Sequence, residues 1–124
     1  MIKIVSMWGT YPWFAECGVD LIHPDDLEAF KQEVNNSKVF ECIIEEKTYM
    51  TISYNNKRYR VKSKLFQPVP VPKYNFGEMV KIRKNGEAAV ITDIMWHYGG
   101  KKLYYFLSIG NKKKSRRYWE AELI

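Results

Sequence analysis

The sequence predicts a mainly β protein of the α+β type, with one short helix near its start and a small antiparallel barrel in its C-terminal part. Two observations predict this fold. After residue 74, short apolar runs with a period of two alternate with turn sequences, and only one earlier stretch has the apolar spacing of a helix. The chain of 124 residues suffices for one ordinary domain or two very small ones.

The first residues predict a short strand followed by an irregular aromatic segment. Ile2, Ile4 and Val5 provide the apolar positions of the strand. Residues 7–14 contain glycine and proline among aromatic side chains, so a regular helix is excluded there. We expect this segment to be held in the core by its rings.

The helix is predicted over about residues 24–34. Pro24 suits a first helical position, and the acidic side chains after it complement the positive end of the helix dipole. His23 is expected to cap the helix. The apolar stripe of this helix consists of Leu27, Phe30 and Val34.

Residues 38–61 predict the strands of a small antiparallel sheet. Asn55 and Asn56 can adopt positive φ and are expected to form a tight hairpin turn. Together with the helix, these strands make an N-terminal α+β unit over residues 1–66. A second, degenerate barrel is the alternative for this unit, because a weak repeat of its pattern follows later in the chain.

Proline alternates with valine in residues 67–73, which predicts a stiff, extended linker. Residues 74–124 then read as a meander of short strands. Gly86 marks one hairpin turn, and Val90 and Ile94 are expected on one face of the next strand. An aromatic loop over 96–102 precedes a strand that places Tyr104 and Phe106 together. Gly110 and Asn111 turn into a last, basic strand over 112–119.

The formal net charge of +6 is unevenly distributed. Residues 1–46 carry a net charge of −6, residues 47–66 carry +6, and residues 67–124 carry another +6. The acidic part can meet the basic remainder internally, or a positive face can remain for an anionic partner.

The opening Phe76–Val80, the turn glycine Gly86, the long second hairpin and the closing Glu122-Leu123 carry a resemblance to a known family. On these features residues 75–124 resemble SH3-like barrels of the Tudor and KOW type. The whole chain is similar to small bacterial proteins of unknown function with paired barrels of this kind. Such barrels bind proteins, methylated side chains or nucleic acids, so the resemblance implies a binding module and leaves its ligand open.

Catalysis is not expected from this sequence. His23, His97, Cys17 and Cys42 have no spacing typical of a metal site or a nucleophile with its base, and no phosphate-binding loop is present. We therefore expect no enzyme, no cofactor and no metal. Both cysteines are expected to be buried thiols in a cytoplasmic protein without a membrane span. The oligomeric state stays open.

The expected contact surface combines the basic hairpin with the aromatic loop. Lysine and arginine can neutralise phosphates while aromatic rings stack on bases, so we expect an anionic partner and favour nucleic acid. An acidic protein, in an inhibitor or immunity-type role, is the alternative, as is a charged edge strand that only deters sheet pairing. The expected contact residues are Lys112, Lys113, Lys114, Arg116 and Arg117 of the hairpin, Trp96, His97, Tyr98, Lys101 and Lys102 of the loop, and Trp119.

Overall fold

Strands dominate both parts of the chain. In the computed structural model, residues 3–33 and 36–124 are described, with the side chains of residues 3–5 left out. The chain divides into two compact units, unit 1 over Met1–Val71 and unit 2 over Pro72–Ile124. The division falls within the proline-valine segment.

Unit 1 is built on a five-stranded antiparallel sheet with a short helix. The strands occur in the order β4-β3-β2-β1-β5. Their bounds are β1 Lys3–Thr10, β2 Val39–Glu45, β3 Met50–Tyr54, β4 Lys57–Val61 and β5 Gln67–Pro68. The helix α1 spans Leu27–Gln32, and 3₁₀ turns lie at Ala15–Cys17, Val19–Leu21, Pro24–Asp26 and Ser63–Leu65.

The predicted helix is present but shorter and less regular than expected. Pro24 opens a 3₁₀ turn, and the His23 Nδ1 atom accepts a hydrogen bond from the Asp25 N–H at 3.1 Å, which confirms the predicted cap. Phe30 of the apolar stripe is fully buried, whereas Leu27 is only partly buried. Val34 lies outside the described residues. Within the described part of the chain, no helix is long and apolar enough to cross a membrane.

The strand at the start extends further than predicted, because β1 continues to Thr10 and pairs with β2. The prediction of an irregular segment from Met7 onward was therefore wrong for its first half. Gly9 permits this strand to lie beside β5: a Cβ atom there would stand 2.5 Å from the Phe66 ring and 2.6 Å from the Gln67 carbonyl oxygen. Tyr11 and Trp13 are buried as expected.

The predicted hairpin of unit 1 is confirmed. Asn55 and Asn56 have φ values of 49° and 70°, and they connect β3 to β4 in register. Tyr59 and Val61 of β4 are buried on one face, as the alternation predicted. The turn residues could be identified from sequence because asparagine tolerates the left-handed conformation better than other residues with a side chain.

Unit 2 has a second antiparallel sheet, in which β10-β8-β7-β6 are neighbours and β9 also pairs with β8. The strands are β6 Met79–Lys81, β7 Ala88–His97, β8 Lys102–Ile109, β9 Lys112–Lys113 and β10 Tyr118–Trp119. The predicted turns at Gly86 and at Gly110-Asn111 are confirmed by positive φ values. The core of this unit contains Val80, Ile82, Ala89, Ile91, Ile94, Tyr105, Leu107 and Leu123.

Neither sheet is closed into a barrel, so the predicted closed barrel is not confirmed and the chain is mainly β with two open antiparallel sheets. The edge strands of unit 2 are too short to form a closing ladder, since β6 has three residues and β10 two. Across the open side, Ile82 and Leu123 form only an isolated bridge. Lys81 and Ile124 exchange backbone hydrogen bonds of 3.1 and 2.9 Å beside it.

The predicted basic strand over 112–119 is interrupted. Only its two ends pair with β8: Lys113 opposes Ser108, and Tyr118 opposes Tyr105. Four residues, Lys114–Arg117, therefore stand opposite two residues of β8. We call Lys114–Arg117 the basic bulge. Its first N–H, that of Lys114, still donates to the Leu107 carbonyl at 2.8 Å. The rest leaves the sheet because a run with charged side chains on both faces cannot remain in a packed strand.

Candidate functional site

The candidate site lies on the face of the unit 2 sheet that points away from that unit's core. The cross-strand register places Met95, Tyr104 and Trp119 in one row, with neighbours two positions along each strand. Arg117, in the basic bulge, reaches over the same side. We call this surface the aromatic face, and its residues are Met95, His97, Lys102, Tyr104, Phe106, Arg117 and Trp119.

The rings of the aromatic face form a continuous cluster. Tyr104 meets both Phe106 and Trp119 edge to face, with centroids 5.8 Å apart in each case. The His97 imidazole meets the Trp119 indole at 5.5 Å in the same manner. These contacts are typical of stable aromatic pairs, so the strands hold the rings in fixed relative orientations.

Two cations cover this cluster. The Lys102 ammonium lies 4.4 Å from the Trp119 ring centroid. The Arg117 guanidinium lies 4.8 Å from the Tyr104 centroid and 5.9 Å from that of Trp119. Among the described residues neither cation forms an ion pair with a carboxylate. The ring quadrupoles beneath them stabilise their charge.

The loop that carries His97 is ordered by its own hydrogen bond. The His97 Nδ1 atom accepts from the Gly100 N–H at 2.8 Å, which orients the imidazole toward Trp119. Lys101 adopts a positive φ of 51° in the same turn. Tyr98 at the loop tip is 41% exposed.

The structure separates the remaining predicted contact residues. Trp96 lies opposite Leu103 and so points to the other face from His97. Lys113 pairs with Asp93 at 2.9 Å beside the aromatic face. The exposed ammonium groups of Lys112 and Lys114 lie further along the hairpin, and Arg116 turns to the opposite side. Of the predicted set, only His97, Lys102, Arg117 and Trp119 come together in the aromatic face.

Sequence reasoning missed Met95 and Asp93 on this side because of a bulge. The register of β7 against β8 shifts between Ile91 and Asp93, so the alternation of side chains changes there. Val90 and Ile94, expected on one face, consequently lie on opposite faces. Asp93 and Met95 join the face of His97. Only the cross-strand register could have shown this, since the local apolar pattern is unchanged by one inserted residue.

The charge of the chain resides in unit 2. Unit 1 has nine basic and nine acidic side chains and a net charge of zero, whereas unit 2 has eleven basic and five acidic ones and carries the whole +6. Glu122 is one of the few acids near the hairpin. Glu122 accepts a hydrogen bond from the Trp119 N–H and lies beside the Arg116 guanidinium. These two contacts hold the pKa of Glu122 below its ordinary value despite partial burial.

The histidines lie in hydrogen-bonded turns, and the cysteines are partly or fully buried. His23 accepts a hydrogen bond from the Asp25 N–H, and His97 accepts one from the Gly100 N–H. Both thiols are free; Cys42 is buried, and Cys17, expected to be buried as well, is only partly so. Burial raises the pKa of Cys42 to about 11. Over residues 3–33 and 36–124 no group of three histidine, cysteine or acidic side chains could hold a metal ion.

Comparison with known proteins gives a family and no function. No curated protein matches the chain. No solved structure matches it either. A family of unknown function matches over residues 1–124, the whole length of the sequence, and the protein therefore belongs to that family, DUF6960.

Proposed function

We propose that this protein is a non-catalytic binding module that engages an anionic partner, nucleic acid being favoured, through the aromatic face of unit 2. One observation carries the proposal. Lys102 and Arg117 stand over Tyr104 and Trp119 without a carboxylate partner among the described residues, in the unit that carries all of the net charge.

A single-stranded nucleic acid fits this chemistry. Its phosphates can be neutralised by lysine and arginine, and its bases can stack on aromatic rings whatever their sequence. Trp119 is partly exposed beneath the two cations, so a base can contact its ring when the flexible Lys102 side chain moves aside. The exposed Lys112 and Lys114 of the hairpin add to the positive charge of the same unit.

Three further observations support an SH3-like relationship, a cytoplasmic setting and a role without catalysis. The bridge between Ile82 and Leu123 joins the last residues to β6, as the final strand of an SH3-like fold would, and supports an SH3-like relationship for unit 2. The free thiols of Cys17 and Cys42 support a reducing, cytoplasmic setting. The roles of both histidines in turn geometry support a module without catalysis.

The test is direct binding of labelled single-stranded and duplex DNA and RNA, followed by fluorescence anisotropy at low and at physiological salt. We expect the single strands to bind, with an affinity that falls as salt rises. Arg117→Gln removes one cation and leaves the ring, and we expect it to weaken binding by about tenfold, because it removes a phosphate contact and a cation over the stacked base.

Lys47→Gln is the matched control, because Lys47 is an exposed lysine of unit 1 and its loss changes the net charge equally. It should change the affinity by less than about twofold. If the folded protein binds none of the four nucleic acids at low salt, nucleic acid is excluded as the partner. Equal effects of the two substitutions would exclude the aromatic face as the contact surface.

An acidic protein is the second candidate, because aromatic residues and arginine also dominate the energetics of protein interfaces. The exposed Tyr98 beside the aromatic face favours it, since a flat protein surface can cover this ring as well. Poly-glutamate is the discriminating probe. Binding of poly-glutamate that Arg117→Gln weakens, with no binding of nucleic acid, would favour the protein partner.

A further inference from the structure

A second basic surface lies on the opposite side of unit 2. Tyr118 and Trp119 are consecutive in β10 and therefore point to opposite faces of the sheet. On the Tyr118 side a groove of about 610 Å³ runs between the turn after β6 and a 3₁₀ turn at Glu120–Glu122. We call it the basic groove, and the residues that matter for its chemistry are Arg83, Lys84, Arg116, Tyr118 and Glu122.

Arg116 is held in place at one wall of the basic groove. Its guanidinium lies 4.2 Å from the Tyr118 ring centroid and donates a 2.9 Å hydrogen bond to Glu122. The side chain is still 59% exposed, so donors remain available to a ligand. A guanidinium fixed by a ring and a carboxylate loses little conformational freedom when it binds an anion.

Arg83 is fixed at the other wall. Its Nε atom donates to the Ala121 carbonyl at 3.1 Å, and its side chain also reaches the Leu123 carbonyl at 3.4 Å. Both acceptors are neutral backbone groups, so the positive charge of Arg83 is not cancelled by them. The exposed Lys84 follows in the same turn.

The basic groove has a net charge of +2. Arg83, Lys84 and Arg116 contribute three positive charges against the single carboxylate Glu122. A phosphate monoester carries a charge of about −1.5 to −2 at pH 7, which matches this net charge. The lining also includes the apolar side chains of Ile82 and Ala121, which suit an organic group attached to the phosphate.

We infer that the basic groove is a binding site for a phosphate monoester, such as a nucleoside monophosphate, with the phosphate between Arg83 and Arg116 and the organic group against the apolar part of the groove. This site is separate from the aromatic face and does not depend on the function proposed for it. The same chemistry is offered by a free nucleotide and by the terminal phosphate of a nucleic acid strand.

The experiment is a calorimetric titration of the full chain with AMP, and with adenosine as the uncharged counterpart. We expect AMP to bind and adenosine to bind at least about tenfold more weakly, because a charge-assisted hydrogen bond to phosphate is lost. Arg116→Gln should weaken AMP binding by about tenfold. Lys47→Gln, a control with the same change of charge at an exposed position of unit 1, should leave it within about twofold.

Arg83→Gln removes contacts to two carbonyls and can lower stability, so Lys84→Gln serves as the second variant of the groove. It removes a charge from an exposed turn, and we expect weaker AMP binding with an unchanged melting temperature. Equal affinities of the wild type and Arg116→Gln, or equal binding of AMP and adenosine, would overturn the inference.

Oligonucleotides with and without a 5′-phosphate identify the source of the ligand. Tighter binding of the phosphorylated strand that is lost in Arg116→Gln supports a strand terminus, whereas binding of AMP alone supports a free nucleotide. Loss of oligonucleotide binding in Arg117→Gln with AMP binding retained distinguishes this site from the aromatic face.

Discussion

The two units use their charged side chains in different ways. In unit 1 the cations meet carboxylates: Arg60 binds Asp26 through its side chain and its backbone N–H, both at 2.8 Å. In unit 2 several cations lie over rings, as Lys102 does over Trp119, although Lys113 and Arg116 also pair with carboxylates. The net charge is zero in the first case and +6 in the second.

The ion pairs of unit 1 organise its fold. Asp26 lies in the 3₁₀ turn before α1, and its contact with Arg60 ties this turn to β4. Glu33 follows α1 and accepts from both Lys38 and Tyr59, which outweighs the effect of burial and holds the pKa of Glu33 below its ordinary value. Acidic side chains therefore balance the basic ones in unit 1, whereas unit 2 retains a net charge of +6.

The largest expected effect is a loss of stability when the core of unit 1 is disrupted. Phe30→Ala should destabilise the protein by about 3–5 kcal/mol, because it empties the centre of a buried ring cluster. Phe30 contacts the rings of Tyr11, Trp13, Phe40 and Tyr59. Urea denaturation followed by circular dichroism measures the loss.

Phe14→Ala is the matched control, since it is the same substitution in the same unit at a side chain that is 60% exposed. It should change the stability by no more than about 0.5 kcal/mol. A loss below about 1 kcal/mol in Phe30→Ala would contradict the central position assigned to that ring.

A smaller effect is expected from Asp26→Asn, and it depends on pH. Hydrogen bonds from Arg60 hold the pKa of Asp26 below its ordinary 3.8 despite some desolvation. A carboxyl with a lowered pKa in the folded state stabilises fully above its unfolded pKa, and this contribution disappears as the pH falls through the folded value. Asp26→Asn should therefore lower the urea midpoint at pH 7, and its midpoint should approach that of the wild type as the pH falls below 3.8.

Asp20→Asn, a change at an exposed carboxylate of unit 1, supplies the reference profile. Its midpoint should follow that of the wild type over the whole pH range. If the urea midpoint of Asp26→Asn also equals that of the wild type at every pH, the contact between Asp26 and Arg60 does not stabilise the fold.

The smallest effect on stability is expected from the exposed lysines Lys112 and Lys114 of the unit 2 hairpin. Removing both exposed lysines, by Lys112→Gln with Lys114→Gln, should shift the unfolding free energy by no more than about 0.5 kcal/mol. If a single strand contacts both, the slope of log affinity against log salt should become shallower by about 1.4, since each lost phosphate contact accounts for about 0.7.

Lys47→Gln with Lys64→Gln removes the same charge from exposed positions of unit 1. This control should leave the salt slope unchanged. A large loss of stability in the unit 2 pair would mean that these lysines take part in folding, and the contrast between the two units would then fail.

Turns could be predicted from the sequence, and register could not. Asn55-Asn56 and Gly110-Asn111 belong to the few residue pairs that readily adopt positive φ, so the hairpins followed from composition alone. The helix start at Pro24 was equally readable. The end of α1 at Gln32 was not, because the apolar spacing beyond it continued to suggest a helix.

The candidate site was only partly predictable for the same reason. The basic and aromatic residue types near 96–119 indicated an anionic partner, but their faces depend on two irregularities, one near Thr92 and the other the basic bulge. Each of them changes which side chains are neighbours without altering local composition. Arg116 and Arg117 look equivalent in sequence and lie on opposite sides of unit 2.

The basic bulge also has a consequence for how this family can vary. It contains two residues more than the stretch of β8 that it faces, and side chains of a strand alternate with a period of two. Deleting or inserting residues there in pairs would keep Lys113 and Tyr118 in their present pairings. The number of positive charges at this edge can therefore change between relatives while the sheet beneath it keeps the same register.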